Sequence, residues 1–323
     1  MSENIIEAKN LVMEFPLKDG KEKVHAVSDL SITVKKGETL ALVGESGCGK
    51  STLGRMLIRL LKPTSGEVFF EGKNITAMSE KEFKAYRRKI QMVFQDPYAS
   101  LNPRMKVRDI IAEPLVTYNI GNSKSEVTQK VLELMKMVEV PEEFLSRYPH
   151  QFSGGQRQRI GIARALALNP DMIVCDEPVS ALDVSVQSQV LNLLKDLQEQ
   201  MNLTYLFITH DLSVVDFIAD RVCVMFLGKV CEIAPKEEIF SNSLHPYTHF
   251  LINAIPQPDP HKRDEKISIM KGEIPSPVHP PSGCRFRTRC PYATSICAGE
   301  APKMREVSKD HFVACHNALM INH

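Results

Sequence analysis

A glycine-rich segment near residue 50 constrains the fold of this chain more than any other feature. Gly44–Ser51 reads G-E-S-G-C-G-K-S and follows the short apolar run Thr39–Val43. In a strand–loop–helix unit, such glycines let backbone N–H groups turn towards an anion, and the helix adds the positive end of its dipole. The segment therefore predicts a phosphate-binding loop and, with it, a P-loop NTPase fold of the α/β class.

The loop supplies the groups that a magnesium-bound nucleoside triphosphate needs, so we expect it to bind Mg·ATP. Lys50 is expected to neutralise the β- and γ-phosphate oxygens, and Ser51 to hold Mg²⁺. Cys48 lies near a helix start and a lysine, where a thiolate is favoured; a reactive thiol and an inert small side chain are both compatible with this position. The residues expected to contact the nucleotide here are Gly44, Ser46, Gly47, Cys48, Gly49, Lys50, Ser51 and Thr52.

Polar residues also follow two later apolar runs. Asp176 and Glu177 come directly after Met172–Cys175. Asp176 suits an indirect contact to Mg²⁺, and Glu177 is placed to polarise the attacking water. His210 follows the run 206–209 and could contact the γ-phosphate, although a histidine there is more often a surface or capping residue.

A second glycine pair marks another helix start. Ser153, Gly154, Gly155 and Gln156 open a helix with an apolar face that runs to Leu168. A helix N-terminus with serine and glycines is physically a second anion site. One chain has a single γ-phosphate to serve, so this second site is redundant within one subunit.

The remaining pattern predicts the order of the secondary structure. Residues 5–15 and 24–34 alternate as antiparallel strands, and 90–94, 172–175, 203–209 and 222–226 are further strands. Val186, Val190, Leu194 and Leu197 share one helix face. Alternating β and α elements predict a mainly parallel core sheet. Residues 107–145 are helical in pattern, which predicts an inserted helical lobe at about 97–168.

In motif order, roughly residues 5–255 resemble the nucleotide-binding subunit of an ATP-binding cassette (ABC) transporter. The resemblance places Lys50 in the Walker A motif, Gln95 in the Q-loop and His210 as the switch histidine. It places Ser153–Gln156 in the signature, Asp176 and Glu177 in Walker B, and Asp183 in the D-loop. It implies that two cassettes close head to tail, so the signature contacts ATP held by the partner. It also implies that Gln95 senses the γ-phosphate, with Ser51 and Gln95 as the Mg²⁺ ligands, and that Phe15 stacks on adenine.

Two finer motifs, Val93–Pro103 and His245–Thr248, resemble the dipeptide, oligopeptide and nickel importers, and in particular their second ATPase subunit. The resemblance implies a heterodimer with a sister ATPase at the cytoplasmic face of the membrane. It further implies two integral-membrane permease subunits and an extracellular solute-binding protein. The cargo implied is a di- or oligopeptide, with nickel or another small solute as the alternative.

Two other classes of ABC ATPase are less consistent with the sequence. Those that act on DNA or ribosomes carry a long coiled coil or two cassettes, and this chain has one Walker A motif and no sustained heptads. Exporters are disfavoured by the proline-rich tail and the lack of a fused membrane span. The formal net charge of +1 creates no basic field for nucleic acid, and no signal peptide or 18-residue apolar run is apparent.

The composition changes near residue 256, which predicts an ABC ATPase domain over 1–255 and an irregular extension over 256–323. Cys284, Cys290, Cys297 and Cys315 lie in this extension. Metal binding there could replace missing apolar burial, and the resemblance favours a four-iron four-sulfur (4Fe–4S) cluster. Zinc and free thiols stay open as alternatives. Neighbouring arginines at 285, 287 and 289 could offset thiolate charge, or be solvated.

Overall fold

The computed structural model of the protein describes residues 4–17, 20–255 and 272–318. The predicted start of the extension at residue 256, with Pro256, Pro258 and Pro260, lies outside the described residues. None of the described helices is long and apolar enough to cross a membrane.

The described elements are twelve strands, ten α-helices and two single-turn 3₁₀ helices. The strands are β1 (Asn4–Pro16), β2 (Lys23–Lys35), β3 (Thr39–Val43), β4 (Ser65–Phe70), β5 (Lys73–Asn74), β6 (Ile90–Val93), β7 (Met172–Asp176), β8 (Thr204–Ile208), β9 (Arg221–Phe226), β10 (Lys229–Pro235), β11 (Arg305–Ser308) and β12 (His311–Val313). The α-helices are α1 (Lys50–Leu57), α2 (Glu80–Arg87), α3 (Val107–Thr117), α4 (Lys124–Met137), α5 (Gly154–Leu166), α6 (Val184–Met201), α7 (Leu212–Ile218), α8 (Lys236–Ser241), α9 (Pro246–Asn253) and α10 (Ser295–Gly299). The 3₁₀ helices are Glu142–Phe144 and Pro149–Gln151.

The chain divides into two compact units. The first unit is mainly Ala77–Ile208, with short segments near residues 1–5 and 35–38. In it, β6, β7 and β8 form parallel neighbours, with Ile90 opposite Met172 and Met172 opposite Thr204. All residues of β7 and β8 are buried, as expected for strands covered on both faces. Between β6 and β7, the chain forms α3, α4, α5 and both 3₁₀ helices.

The second unit contains Ile6–Val34, Thr39–Thr76 and the described chain from Thr209 onward. One of its sheets has the order β2-β1-β4-β5, with β4 antiparallel to β1 and to β5. In its other sheet, β3 runs parallel to β9, whereas β10 is antiparallel to both β9 and β12. The predicted α/β class with an antiparallel subdomain is therefore confirmed, and the core sheet is mixed.

Most sequence-based assignments correspond to observed elements. The alternating runs form β1 and β2, and the short apolar runs form β3, β6, β7, β8 and β9. The predicted face of α6 is buried at Val190, Leu194 and Leu197. The sequence analysis missed β4, β5 and β10. The extension, predicted to be irregular, also contains α10 and the hairpin of β11 and β12.

The extension contributes to the core of the second unit. Phe286 is 2% exposed and belongs to the same buried cluster as Phe226 and Tyr247. Its ring meets Phe226 edge-on, with centroids 5.3 Å apart, and lies 5.3 Å from the ring of Tyr247. Aromatic pairs in this range add stabilisation beyond the area they bury.

A buried carboxylate fastens β12 and the start of α9 to β10. Glu232 is fully buried and accepts backbone N–H bonds from Leu244 at 2.7 Å and His245 at 3.0 Å. His311 Nε2 lies 2.7 Å from the same carboxylate. Burial lowers the pKa of His245 to about 4, so its ring is neutral and Nδ1 accepts the N–H of Tyr247. Glu232 therefore satisfies three buried polar groups from two other segments of the chain.

We predict that Glu232→Ala destabilises the protein strongly, because three buried groups lose their acceptor. The expected loss in free energy of unfolding is about 3–5 kcal/mol. Urea denaturation of the purified full-length chain measures it. Exposed Glu237 on α8 offers a matched control, and Glu237→Ala should change stability by less than about 1 kcal/mol. Equal effects of the two substitutions would show that the buried network does not stabilise the fold.

Candidate functional site

The glycine loop lies between β3 and α1, as the sequence predicts, and its backbone needs glycine. Gly44 and Gly49 have φ values of 149° and 104°. A Cβ on Gly44 would lie 2.2 Å from the carbonyl oxygen of Met225, and one on Gly49 would lie 2.2 Å from that of Ala26. Both distances are far below contact, so any side chain would force the loop apart.

Lys50 is the first residue of α1, and its side chain lies against the loop. It is 5% exposed, and its Nζ donates to the carbonyl oxygens of Gly44 at 2.7 Å and Glu45 at 3.1 Å. The ammonium group is therefore held at the loop, where a phosphate oxygen can take over its hydrogen bonds. Ser51 and Thr52 follow on the same helix and are partly exposed. Ser46 and Gly47 are exposed at the tip of the loop.

The expectation of a reactive thiol at Cys48 is not supported. Cys48 is 4% exposed, and burial raises its pKa, although Lys50 acts in the opposite direction. A buried thiol with a raised pKa is protonated near neutral pH and reacts slowly. Its Sγ lies 3.9 Å from Lys50 Nζ, so Cys48 fills space beside the lysine.

In the first unit, the structure brings Gln95 and Glu177 together. Gln95 Nε2 donates to Glu177 Oε2 at 2.9 Å. Asp176 ends β7 and is 1% exposed, whereas Glu177 is partly exposed. Glu177 has a φ of 47° and donates its N–H to Ile208 of β8 at 2.9 Å. A non-glycine residue in the left-handed region is uncommon and is often found at functional sites.

The second glycine pair opens α5 with a complete capping box. The Ser153 side chain accepts from the N–H of Gln156, and the Gln156 side chain accepts from the N–H of Ser153. Ser153 is exposed. This arrangement fixes the helix start and presents its N-terminal end at the surface.

Packing favours glycine at the signature, more strongly at Gly155 than at Gly154. A Cβ on Gly154 would lie 3.0 Å from Leu182, and one on Gly155 would lie 2.3 Å from Cγ1 of Val186 on α6. Asp183, in the predicted D-loop, precedes α6 and is exposed. The signature and the D-loop are thus neighbours within the first unit.

The structure places the two other predicted nucleotide contacts in the second unit. His210 follows Thr209, whose N–H donates to Leu42 of β3 at 3.2 Å, and His210 is exposed. Phe15 lies near the end of β1 and is 36% exposed. Their contacts to the γ-phosphate and to adenine stay predictions.

The four extension cysteines line one cavity, together with Phe286, Tyr292 and His316. The N–H of Cys284 donates to the carbonyl of Cys297 at 2.8 Å. Burial raises the pKa of Cys290 and of Cys315 to about 11. No group of three or more candidate ligands in the described residues is arranged to hold a metal ion. The four thiols therefore converge on one cavity without forming such a group.

The neighbouring arginines donate their hydrogen bonds to other groups, although the charge of Arg287 partly opposes the burial that raises the pKa of the Cys284 thiol. Arg289 binds Glu45 in the phosphate loop at 2.7 Å. Arg285 donates to the carbonyl of Leu227 and to Ser28 Oγ, and Arg287 donates to Ser282. Sequence reasoning missed the pair of Glu45 with Arg289, because 244 positions separate the two residues and no local pattern links them.

Comparisons with known proteins agree with this architecture. The family model described as ABC transporter matches residues 27–180. The model described as oligopeptide/dipeptide transporter, C-terminal region, matches residues 231–297. Among solved structures, the chain resembles the dimeric ATP-binding cassette MJ0796 bound to ADP and Pi. That match has a TM-score of 0.66 and 34% sequence identity, and it covers 72% of this chain and 98% of that one.

Relatives of known name cover nearly the whole chain. The putative oligopeptide transport ATP-binding protein YkfD of Bacillus subtilis is 55% identical, over 97% of this chain and 95% of YkfD. Oligopeptide transport ATP-binding protein AppF of the same organism is 53% identical, over 97% of each chain. Oligopeptide transport ATP-binding protein OppF of Haemophilus influenzae is 49% identical, over 98% of each chain.

The fold and the loop define an ATP-binding cassette. The chain belongs to the ABC transporter family, as an ATP-binding ATPase subunit of the oligopeptide/dipeptide group. The resemblance stated from the motifs is thereby confirmed.

We predict that the steric clash created by Gly155→Ala can be relieved by a second substitution, Val186→Ala, on α6. Gly155→Ala should lower ATPase activity of the assembled transporter roughly tenfold to a hundredfold, because the signature must shift. Val186→Ala removes Cγ1, so the next atom, Cβ of residue 186, lies at an ordinary 3.7 Å. The double variant should regain most of the activity.

Gly161→Ala on the same helix is the matched control, since nothing lies within 4 Å of a Cβ there; its activity should equal that of the unaltered chain. A double variant as inactive as Gly155→Ala would refute the steric explanation.

Proposed function

We propose that this chain hydrolyses ATP at a site shared with a second, similar cassette and thereby energises oligopeptide import. The observation that carries the proposal is the capped, exposed N-terminus of α5 at Ser153. The sequence contains one phosphate loop, so this second anion site has no triphosphate of its own to serve. A partner that faces it with its own loop gives it a function.

Within this scheme, each predicted residue has a specific task. Lys50 binds the β- and γ-phosphate oxygens. Ser51 and Gln95 bind Mg²⁺ directly, and Asp176 contacts it indirectly. Glu177 accepts a proton from the attacking water, which His210 orients. The hydrogen bond between Gln95 and Glu177 supports the idea that the state of the Q-loop affects the water-activating carboxylate.

The remaining partners and the location follow from the family. We infer a heterodimer with a sister ATPase, bound to two permease subunits at the cytoplasmic face of the membrane. An extracellular solute-binding protein delivers the cargo. AppF and OppF are named as oligopeptide transport proteins, which supports a peptide cargo. We also infer that residues 1–255 form the ATPase domain and that 256–323 form an extension.

The test is Glu177→Gln in the transporter reconstituted in liposomes with its sister subunit, permeases and binding protein. ATP should still bind, but phosphate release and uptake of a labelled oligopeptide should fall by about 10²–10⁴-fold, because the water loses its base. Glu143→Gln, at an exposed position, is the control and should leave both rates unchanged.

Wild-type turnover in Glu177→Gln would assign the base elsewhere. Full ATPase activity of the isolated chain without its sister would contradict the shared site. Nickel uptake without peptide uptake, or export without import, would reject the proposed cargo or direction.

The extension cysteines stay a candidate site for a 4Fe–4S cluster, with zinc as the alternative. The convergence of the four thiols on one cavity supports it, whereas the lack of a metal-ready geometry does not. Anaerobic purification followed by iron, sulfide and zinc analysis decides between them. If a cluster is bound, Cys297→Ser should lower the iron content and Cys48→Ala should not. Colourless protein that contains no metal would show that the four cysteines are free thiols.

A further inference from the structure

The extension contacts the phosphate loop through a partly buried ion pair. Arg289 donates to both carboxylate oxygens of Glu45, from Nη1 to Oε2 at 2.7 Å and from Nη2 to Oε1 at 3.1 Å. The two side chains are 6% and 24% exposed. A two-point arginine–carboxylate pair at these distances is among the stronger hydrogen-bonded contacts in proteins and fixes both groups in orientation.

The same loop residue is held through its backbone. The Tyr247 hydroxyl accepts the N–H of Glu45 at 2.9 Å. Tyr247 is completely buried, and burial raises its pKa, so the hydroxyl stays neutral. The guanidinium of Arg289 lies 5.8 Å from the ring centroid of Phe226, and that ring packs against Tyr247. Glu45 is thus held by Tyr247 and Arg289, which both follow β10 in the chain.

The negative charge of Glu45 opposes the binding of a triphosphate to its loop. Glu45 is the second residue of a segment that receives a polyanionic triphosphate, and like charges repel at this range. Lys50 donates to the backbone carbonyl oxygen of Glu45, so the main chain of Glu45 contacts the ammonium group that is expected to bind phosphate. An unpaired carboxylate here would oppose ATP binding; a carboxylate neutralised by Arg289 would not.

We propose that Arg289 is a positioning residue of the ATP site, because it neutralises the Glu45 carboxylate and holds the phosphate loop in its binding shape. Tyr247 supports the same residue by a neutral backbone contact. The extension therefore contributes directly to nucleotide affinity. The inference rests on nucleotide binding at Gly44–Ser51, as in the proposed function.

The test measures Mg·ATP binding to the purified full-length chain by titration calorimetry. Arg289→Met should raise the Kd roughly tenfold, because the freed carboxylate repels phosphate. Adding Glu45→Gln to that variant should restore the Kd to within about threefold of the unaltered chain, because the repulsive charge is gone. Arg287→Met is the matched control, since Arg287 donates its hydrogen bonds to Ser282; its Kd should not change.

Further readouts separate charge compensation from simple anchoring. The defect of Arg289→Met should shrink as salt rises from 0.05 to 0.5 M, where screening lengths fall from roughly 14 to 4 Å. Tyr247→Phe should weaken binding less, and Glu45→Gln should not rescue it, because that contact is to the backbone. In the assembled transporter, Arg289→Met should raise the KM for ATP while kcat changes less than about twofold.

Three results would overturn the proposal. Arg289→Met could bind Mg·ATP as tightly as the unaltered chain, the Glu45→Gln double variant could fail to recover, or the defect could be independent of salt. If Arg289→Met does not fold, Arg289→Gln replaces it: it also removes the charge, so its Kd should rise roughly tenfold and recover when Glu45→Gln is added. An unaltered chain that binds no Mg·ATP would contradict the proposed function itself, whereas tight binding by all variants would contradict only the role of Arg289.

Discussion

The close approach of the phosphate loop to two backbone carbonyls is the constraint on which the nucleotide site depends. Gly44 and Gly49 lie so near the carbonyls of Met225 and Ala26 that a methyl group would overlap them. This approach lets the chain leave β3, turn sharply and enter α1 with Lys50 at its first position. The Lys50 ammonium is thereby held against the loop by the carbonyl oxygens of Gly44 and Glu45, next to the positive end of the helix dipole.

Local sequence patterns predicted most of the strands and helices, because these elements are formed by residues close together in the sequence. The apolar runs at β3, β7 and β8 are short and flanked by turns, so burial follows directly from composition. β10 and the hairpin of β11 and β12 escaped prediction for a different reason. β10 pairs with β12, with Glu232 opposite Val313. Such pairing between distant segments depends on tertiary contacts, which the local sequence pattern does not reveal.

The candidate site was likewise predictable where the signal is local in the sequence, and not where it depends on residues far apart. Each motif residue was predicted from its neighbours in sequence, whereas the hydrogen bond between Gln95 and Glu177 is known only from the structure. Of the two alternatives left open for Cys48, the structure favours the inert side chain, because burial outweighs the nearby lysine in its effect on the thiol pKa. The partners of Glu45 were invisible, since Tyr247 and Arg289 lie 202 and 244 positions away.

The hairpin of the extension also changes how the sheet of the second unit ends. Without β12, strand β10 would present a row of unpaired amide groups to solvent, and such rows can recruit strands from other molecules. In the part of the chain that the structure describes, the last strand is instead β11, which is four residues long and exposes Arg305 and Glu306. Short, charged edges resist this kind of self-association, so the hairpin helps to keep a concentrated ATPase from aggregating.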